Sequence, residues 1–199
     1  MYEKTEEKPK EPSFKDSLTK FTKNLFETVQ LFVVALAFVV FLYLFIASPH
    51  EVIGRSMEDN FHDGEYLIAD KVSYKLSEPR RGDVVIFQKT ETVDYIKRVI
   101  GIPGDTVEVR DGHYYINGEQ LNESDYLATD IFTEPGNFLS EGEMYVIPEG
   151  KIFVSGDNRE HSSDSRAFGP IDINEIKGRA FLVYWPITEL KLVSRESYN

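Results

Sequence analysis

An uninterrupted apolar segment near the N-terminus constrains this chain more than any other feature. Thr28–Ala47 contains no charged residue and only one side-chain amide, that of Gln30. A helix of about 20 residues rises by about 1.5 Å per residue and spans about 30 Å, the thickness of a bilayer's hydrocarbon core. The segment is apolar all round, without the polar face of an ordinary surface helix. It therefore predicts a transmembrane helix.

A cleaved leader segment is the alternative interpretation of this stretch. Its apolar region would have about 7–15 residues and would end in small residues. Here the apolar segment is longer and continues into Ser48-Pro49-His50-Glu51. A retained membrane span is therefore favoured.

The lysines indicate how the span is oriented. Six of them precede it, at positions 4, 8, 10, 15, 20 and 23, whereas the first basic residues after it are Arg55 and Lys71. The positive-inside rule then places the N-terminus in the cytoplasm. We expect a single-pass protein of the cell membrane, in contact with lipid. Its parts would be a disordered cytoplasmic tail (1–17), the helix with its cytoplasmic lead-in (18–47) and an extracytoplasmic β-rich domain (48–199).

The part of the chain after the span favours β structure. Short segments rich in Val, Ile, Tyr and Phe predict strands. They are Tyr66–Asp70, Val84–Gln88, Val93–Val99, Thr106–Arg110, His113–Ile116, Met144–Ile147, Ile152–Gly156 and Ala180–Tyr184. Asp111-Gly112 and Asn117-Gly118 are typical of two-residue hairpins. The expected fold class is mainly β, a curled antiparallel sheet or partial barrel, with an exposed excursion over 122–143.

Composition excludes several kinds of chemistry. The chain has no cysteine, so disulfides, thiolate catalysis, zinc-thiolate sites and iron-sulfur clusters are excluded. Residues 1–27 are neutral in sum, so the net charge of -12 belongs entirely to the remainder. A domain this acidic repels phosphates, and no nucleic-acid partner is expected.

Four segments combine reactive or polar side chains with turn residues. They are Gly54-Arg55-Ser56-Met57, Arg81-Gly82-Asp83 with the strand after it, Tyr95–Asp105, and Gly156–Pro170. The second is interpreted as a turn that opens a buried strand. The last, taken alone, is equally consistent with a hydrogen-bonded loop whose Asp and Arg pair for structural reasons.

The third segment places a lysine in an unusual position. Alternate residues of a strand face opposite sides, so Tyr95, Lys97 and Val99 would share one face. An ammonium group on an apolar face is costly, and burial lowers the pKa of a lysine because desolvation disfavours the charged form. The alternative is a Lys97 side chain that extends past the apolar surface to water. Periodicity alone does not choose between them.

Taken together, the four segments and the anchor resemble type I signal peptidases. The segments match the four characteristic boxes of that family in order and with plausible spacing, and the third and fourth match almost letter for letter. The resemblance implies a membrane-bound serine endopeptidase that removes N-terminal signal peptides from exported preproteins. Its substrates would carry small residues one and three positions before the cleaved bond.

The resemblance also implies roles for individual residues. Ser56 would be the nucleophile and Lys97 the general base. Ser162 would orient the lysine amine, and Asp164 and Arg166 would shape the site. The oxyanion donors would be the backbone N–H groups of Ser56 and Gly54, and the substrate-binding residues would be Ile53, Met57, Tyr95 and Ile96. No metal or cofactor is required.

The first segment departs from the family pattern in two ways. The family runs Ser-Met-x-Pro-Thr-Leu, whereas this chain has Glu58-Asp59-Asn60-Phe61 after Ser56-Met57. An anion near Lys97 would favour its protonated, inactive form. We therefore expect the carboxylates of Glu58 and Asp59 to point to solvent. In addition, Gly54 has no side-chain hydroxyl for an oxyanion, a group that some family members supply from this position.

Three alternatives remain open at this point. A Ser-His-Asp triad could in principle use His161. A specialised peptidase for pilins or other envelope proteins would use the same dyad on fewer substrates. A catalytically silent, membrane-anchored domain that binds envelope partners would need neither Ser56 nor Lys97.

Overall fold

The computed structural model describes residues 14–58, 60–128 and 131–195. By their internal contacts the residues form two units, Met1–Tyr43 and Leu44–Asn199. The first unit is dominated by one long helix, α1 (Phe14–Phe45). Its part Leu18–Phe45 has a mean hydropathy of 2.5 and is long and apolar enough to cross a membrane. Helix α1 begins inside the segment predicted as tail, and residues 1–13 of that tail lie outside the described residues.

The predicted helix end at Ala47 is wrong. Helix α1 ends at Phe45, and Ala47 begins a strand, β1 (Ala47–Glu51). Among the described residues this strand pairs only with β2 (Tyr66–Asp70), and it forms one edge of the large sheet. Pro49 is compatible with an edge strand, because the unpaired side of such a strand needs no N–H donor. The polar composition of β1 is the reason that the pattern of apolar residues missed it.

The second unit is built from antiparallel strands. After β1 and β2 the strands are β3 (Val84–Gln88), β4 (Asp94–Gly101), β5 (Thr106–Arg110), β6 (His113–Ile116), β7 (Glu119–Gln120), β8 (Tyr145–Val146), β9 (Lys151–Ser155), β10 (Ile171–Asp172), β11 (Ile176–Trp185) and β12 (Lys191–Leu192). The helical elements are two short helices, α2 (Ser73–Leu76) and α3 (Ser165–Phe168), and the 3₁₀ turns Arg159–His161, Ile173–Glu175 and Ile187–Glu189.

Two sheets result from these strands. The eight-stranded sheet has the order β1-β2-β11-β3-β4-β9-β10, with β12 paired to β11, and the four-stranded sheet has the order β7-β6-β5-β8. The register along β11 shifts at three places, between Ile176 and Gly178 against β3, and between Ala180 and Leu182 and between Val183 and Trp185 against β2. Such irregularities bend a strand and raise its twist, which lets a sheet curl. The predicted mainly β fold with a curled antiparallel sheet is confirmed.

Local sequence signals account for both hairpins of the smaller sheet. Asp111 and Gly112 connect β5 to β6, and Asn117 and Gly118 connect β6 to β7. All four residues have positive φ angles, between 50° and 86°. That geometry belongs to a type I′ turn, which favours Asn or Asp followed by Gly.

The predicted exposed excursion over 122–143 is only partly correct. Its described residues form no long helix or strand, but Leu139 is fully buried and Thr133 is 1% exposed. Leu139 packs into a hydrophobic cluster with Tyr114 and Phe153. The segment therefore completes the core under the smaller sheet, a long-range contribution that weak periodicity could not reveal.

Candidate active site

Ser56 lies in a loop that joins β1 to β2. Two backbone hydrogen bonds close the base of the loop, from Val52 N to Glu65 O (2.8 Å) and from Gly64 N to Val52 O (2.9 Å). The loop is also fixed from below, because Met57 and Phe61 are buried in the hydrophobic cluster formed with β2, β3 and β11. Ser56 itself is half-buried at the surface of this anchored loop.

Lys97 reaches Ser56 from strand β4, which is separated from β2 in the sheet by β11 and β3. It is paired with Val85 of β3 and is only 3% exposed. Its Nζ lies 2.7 Å from the Oγ of Ser56 and 2.8 Å from the carbonyl oxygen of Ile96. The ring centroid of Tyr95 is 5.0 Å from the same nitrogen. Lys97 is thus buried, in agreement with the apolar-face interpretation and not with extension to water.

The surroundings of Lys97 favour a neutral amine. Burial lowers the pKa of Lys97 to about 8, and the more distant carboxylates of Asp164 and Asp157 oppose part of this shift. Among the described residues, none of the ion pairs within 4 Å includes Lys97. A neutral amine can accept the hydroxyl proton of a serine, whereas an ammonium cannot.

The carboxylate of Glu58 does not contact Lys97. It is held by Arg55, whose Nε donates to Oε2 of Glu58 across 2.9 Å. The expectation that Glu58 faces away from the amine is therefore consistent with its contacts. Asp59, for which the same orientation was predicted, lies outside the described residues.

Asn60 connects the nucleophile loop to the strand that carries Lys97. Its Nδ2 donates to Oδ2 of Asp157 and to the backbone oxygen of Tyr126, both across 2.8 Å. Asp157 in turn accepts two hydrogen bonds from Arg98, at 2.8 and 2.7 Å, and this ion pair is almost completely buried. Where the family pattern has a Pro-Thr turn, this chain has a hydrogen-bonded network that links the two sides of the site.

A second buried ion pair holds the fourth segment in place. Arg166 donates to both oxygens of Asp164, at 2.9 and 2.8 Å. Asp164 also accepts from Gly156 N and Ser155 Oγ, at 3.0 and 3.1 Å. Burial raises the pKa of the Asp164 carboxyl, but the hydrogen bonds and charge of Arg166 outweigh it and lower the pKa below its ordinary value. These contacts fix the backbone of the fourth segment, and the role of Asp164 and Arg166 in shaping the site stays a prediction.

Ser162 comes close to the dyad without bonding to it. An added Cβ on Gly156 would overlap both the Ser162 hydroxyl and the Ser56 carbonyl oxygen, which places all three residues side by side. Yet the Oγ of Ser162 is buried and forms no hydrogen bond with Lys97 or Ser56. The expected contact between Ser162 and the Lys97 amine is not formed in this structure. The amine donates instead to the carbonyl oxygen of Ile96.

The close packing at Gly156 leads to a testable expectation. We expect Gly156→Ala to lower the cleavage rate by about 10²-fold, because displacing a reacting group by about 1 Å costs this much. Gly118→Ala is the matched control, since Gly118 has a positive φ angle but open space around it. The control should lose stability and retain its rate. Equal rates for Gly156→Ala and the unsubstituted chain would contradict the packing described above.

The two expected oxyanion donors differ in whether their N–H group is already hydrogen-bonded. The N–H of Ser56 donates to no other group among the described residues. The N–H of Gly54, however, donates to Oδ1 of Asp63 across 2.6 Å. Gly54 can therefore act as an oxyanion donor only when this hydrogen bond breaks, and its role stays a prediction. Asp63 carried no sequence signal for such a contact.

A cleft of about 690 Å³ opens beside the dyad. Ser56, Lys97 and three of the expected substrate-binding residues, Ile53, Tyr95 and Ile96, line it. Met57 does not, and its expected role in substrate binding is not supported. It is 1% exposed because it anchors the nucleophile loop in the core. Ile53, in contrast, is 81% exposed.

A serine, a histidine and an aspartate also approach one another at the rim of this cleft. Ser48 Oγ lies 3.0 Å from His50 Nε2, and His50 Nδ1 lies 3.8 Å from Asp94 Oδ2. Ser48 is only 5% exposed, and Asp94 is paired with Lys177. Because a nucleophile must meet the substrate, this arrangement is not a second catalytic centre. His161 lines the cleft but forms no hydrogen bond with Ser56.

Comparisons with known proteins identify the family of this chain. The family model described as "Signal peptidase, peptidase S26" matches residues 25–185. The chain is similar to signal peptidase IB of Staphylococcus aureus strain COL, at 38% identity, with 79% of this chain and 89% of the relative covered. It is also similar to signal peptidase I of Bacillus licheniformis, at 37% identity, with 87% of this chain and 95% of the relative covered.

A crystal structure of a signal peptidase I from Enterococcus faecalis matches as well. The identity is 31% and the TM-score 0.42, with 52% of this chain and 97% of that chain covered. The family match over most of the chain and the two relatives are sufficient for assignment. The chain belongs to the signal peptidase family, peptidase S26.

Proposed function

We propose that this signal peptidase cleaves signal peptides from secreted preproteins with Ser56 as nucleophile and Lys97 as general base. The observation that carries the proposal is the distance of 2.7 Å between the Ser56 hydroxyl and the Lys97 amine. A serine hydroxyl is a weak nucleophile unless a base within hydrogen-bond reach takes its proton. Burial of Lys97 supplies such a base, because its pKa is lowered to about 8.

The reaction follows from this geometry. In the neutral state of the dyad the Ser56 hydroxyl donates to Nζ of Lys97. The oxygen then attacks the carbonyl carbon at the end of the signal peptide while the proton moves to Lys97. The protonated amine returns it to the leaving amino group, and an acyl-enzyme remains. Water hydrolyses this ester with Lys97 acting as base a second time.

The charge that develops on the carbonyl oxygen requires hydrogen-bond donors. The N–H of Ser56 is available for this purpose. Gly54 would supply a second donor once Asp63 releases it, and a single such donor is worth about 10²–10³-fold in rate. Ser162, whose hydroxyl lies next to the dyad, would orient the amine in the complex with substrate. Asp164 and Arg166 would keep the loop around it rigid.

An extended substrate would bind along the edge of β4. This strand pairs with β9 only from Arg98 onward, so Asp94–Lys97 have no strand neighbour on that side within the described part of the chain. A peptide added there would form main-chain hydrogen bonds and direct alternate side chains into the cleft. Ile53, Tyr95 and Ile96 would then face the residues one and three positions before the cleaved bond.

A membrane anchor would hold the enzyme in the membrane in which its preprotein substrates lie. The apolar helix α1 is consistent with the membrane anchor of a signal peptidase I. We propose that the N-terminus is cytoplasmic and that the domain from residue 48 lies on the outer face. Enzyme and preprotein then share one membrane, which raises their effective concentration for each other.

Cleavage of designed preproteins by the full chain in lipid vesicles tests this function. Replacing the small residue at either the first or the third position before the bond by a large one should lower kcat/KM by about 10–200-fold. A large residue at the second position is the control, because in an extended peptide it points the other way. Equal cleavage of all the variants would contradict the proposal.

A further inference from the structure

A second cluster of reactive side chains lies apart from the Ser56–Lys97 dyad. His62, Glu65 and Glu189 each bring a potential metal ligand to one place, and these atoms all lie within 4.8 Å of one another. His62 and Glu65 end the loop that carries Ser56, whereas Glu189 belongs to the 3₁₀ turn Ile187–Glu189. Among the described residues, this is the one group of its kind.

Glu65 is the residue that points to a ligand. It is 2% exposed, and neither of its carboxylate oxygens has a hydrogen-bond partner among the described residues. A buried carboxylate in this condition is costly, and such groups are normally paired or bound to a metal. The backbone of Glu65 is fixed, because its carbonyl accepts the hydrogen bond from Val52 N. The side chain therefore cannot easily leave the site.

Lys191 compensates this charge only incompletely. Its Nζ lies 3.8 Å from Oε1 of Glu65, beyond hydrogen-bond distance. The same nitrogen donates to the backbone oxygen of Asn60 across 2.6 Å. The ammonium group is thus directed at the nucleophile loop, and at least one oxygen of Glu65 stays open to a further cation.

We propose that His62, Glu65 and Glu189 bind a divalent transition-metal ion, with Zn²⁺ the best fit. One imidazole nitrogen and two carboxylate oxygens suit Zn²⁺ better than Ca²⁺ or Mg²⁺, which prefer oxygen ligands throughout. Zinc ligands lie about 2.0–2.2 Å from the metal, so the three atoms must approach one another further. His62 and Glu189 are exposed and can make this adjustment by rotation of their side chains.

The bound ion would connect two parts of the domain that are distant in sequence. It would join the end of the nucleophile loop to the turn between β11 and β12. Since Ser56 and Glu65 lie in the same closed loop, the ion would oppose local opening of that loop. The ion takes no part in the chemistry of the dyad, so the site can exist whether or not the proposed function is correct.

Calorimetric titration of the chelator-treated full chain in detergent micelles with Zn²⁺ tests the site. We expect one ion per chain and a higher thermal unfolding midpoint in its presence. His62→Gln and Glu189→Gln, both at exposed positions, should weaken binding by about tenfold or more. Glu149→Gln, an exposed glutamate elsewhere, is the matched control and should bind like the unsubstituted chain.

Removing the ammonium group of Lys191 should change the affinity for Zn²⁺ in the opposite direction. Lys191→Met should strengthen Zn²⁺ binding, because it removes a positive charge that lies next to Glu65. Absence of binding by the unsubstituted chain would overturn the proposal. Binding that is equal in His62→Gln, Glu189→Gln and the unsubstituted chain would overturn it as well, since the ion would then sit elsewhere.

Discussion

Ser56→Ala should lower kcat/KM for signal-peptide cleavage by about 10⁴-fold or more, the loss usual for a missing serine nucleophile. Among the described residues, the substitution removes the one hydroxyl that is hydrogen-bonded to the Lys97 amine. Because Ser56 is half-buried at the surface of its loop, the fold should persist. Cleavage of a purified preprotein by the full chain in micelles measures the effect, and circular dichroism checks the fold.

Ser48→Ala is the matched control for this experiment. Ser48 is the other serine near the cleft with a potential base, His50, within 3.0 Å. It is buried, and we expect its loss to change kcat/KM by much less than tenfold. If Ser48→Ala abolishes cleavage and Ser56→Ala does not, the nucleophile has been assigned to the wrong residue.

Lys97→Met should lower kcat/KM by about 10²–10⁴-fold, the contribution typical of a general base. Methionine keeps an unbranched chain in the same apolar surroundings but cannot accept a proton. Lys75→Met, at an exposed lysine of α2, is the control and should leave the rate unchanged. Retention of full activity by Lys97→Met would exclude the amine as the base.

The same substitution should make the domain more stable at neutral pH. The folded-state pKa of Lys97, about 8, lies below its ordinary value of 10.5, so burial opposes the charged amine. At pH 7 burial of the charged amine lowers the free energy of unfolding by about 3 kcal/mol. Lys97→Met removes this destabilisation but also loses the hydrogen bonds of the amine. The destabilisation by the buried charge is fully present below pH 8 and vanishes above pH 10.5. The gain in thermal midpoint should therefore shrink between these two values.

Much of the fold could be predicted from local sequence. Strands rich in β-branched and aromatic residues and the Asp-Gly and Asn-Gly hairpins are specified by nearby residues. Strand β1 and the buried part of 122–143 were missed for a common reason. Their places depend on partners far away in the sequence, such as β2 for β1 and the cluster around Tyr114 for Leu139.

The site was predicted unevenly, and the difference has a physical cause. Strand alternation offered a buried Lys97 as one of two possibilities, and resemblance to the family supplied its role and its partner Ser56. Neither could show that Asp63 occupies the N–H of Gly54. The contact from Asn60 to Asp157 also escaped, because it joins residues 97 positions apart. Hydrogen bonds of this kind depend on loop geometry, which composition and spacing do not determine.

Met57 shows that a residue of a family pattern can have a structural role. The resemblance implied that it contacts the substrate. In the structure its side chain points into the core and fixes the loop from below. A residue can thus follow the nucleophile in a family pattern because it anchors the loop.

The pH dependence of kcat/KM for a peptide without titratable side chains tests the central claim most directly. This ratio reports the pKa values of the free enzyme. Since Lys97 must be neutral to act, the rate should rise with pH along a limb centred near pH 8, the pKa of the buried amine. A limb centred near pH 4 or 6.5, the ordinary pKa values of a carboxylate and an imidazole, would contradict the account.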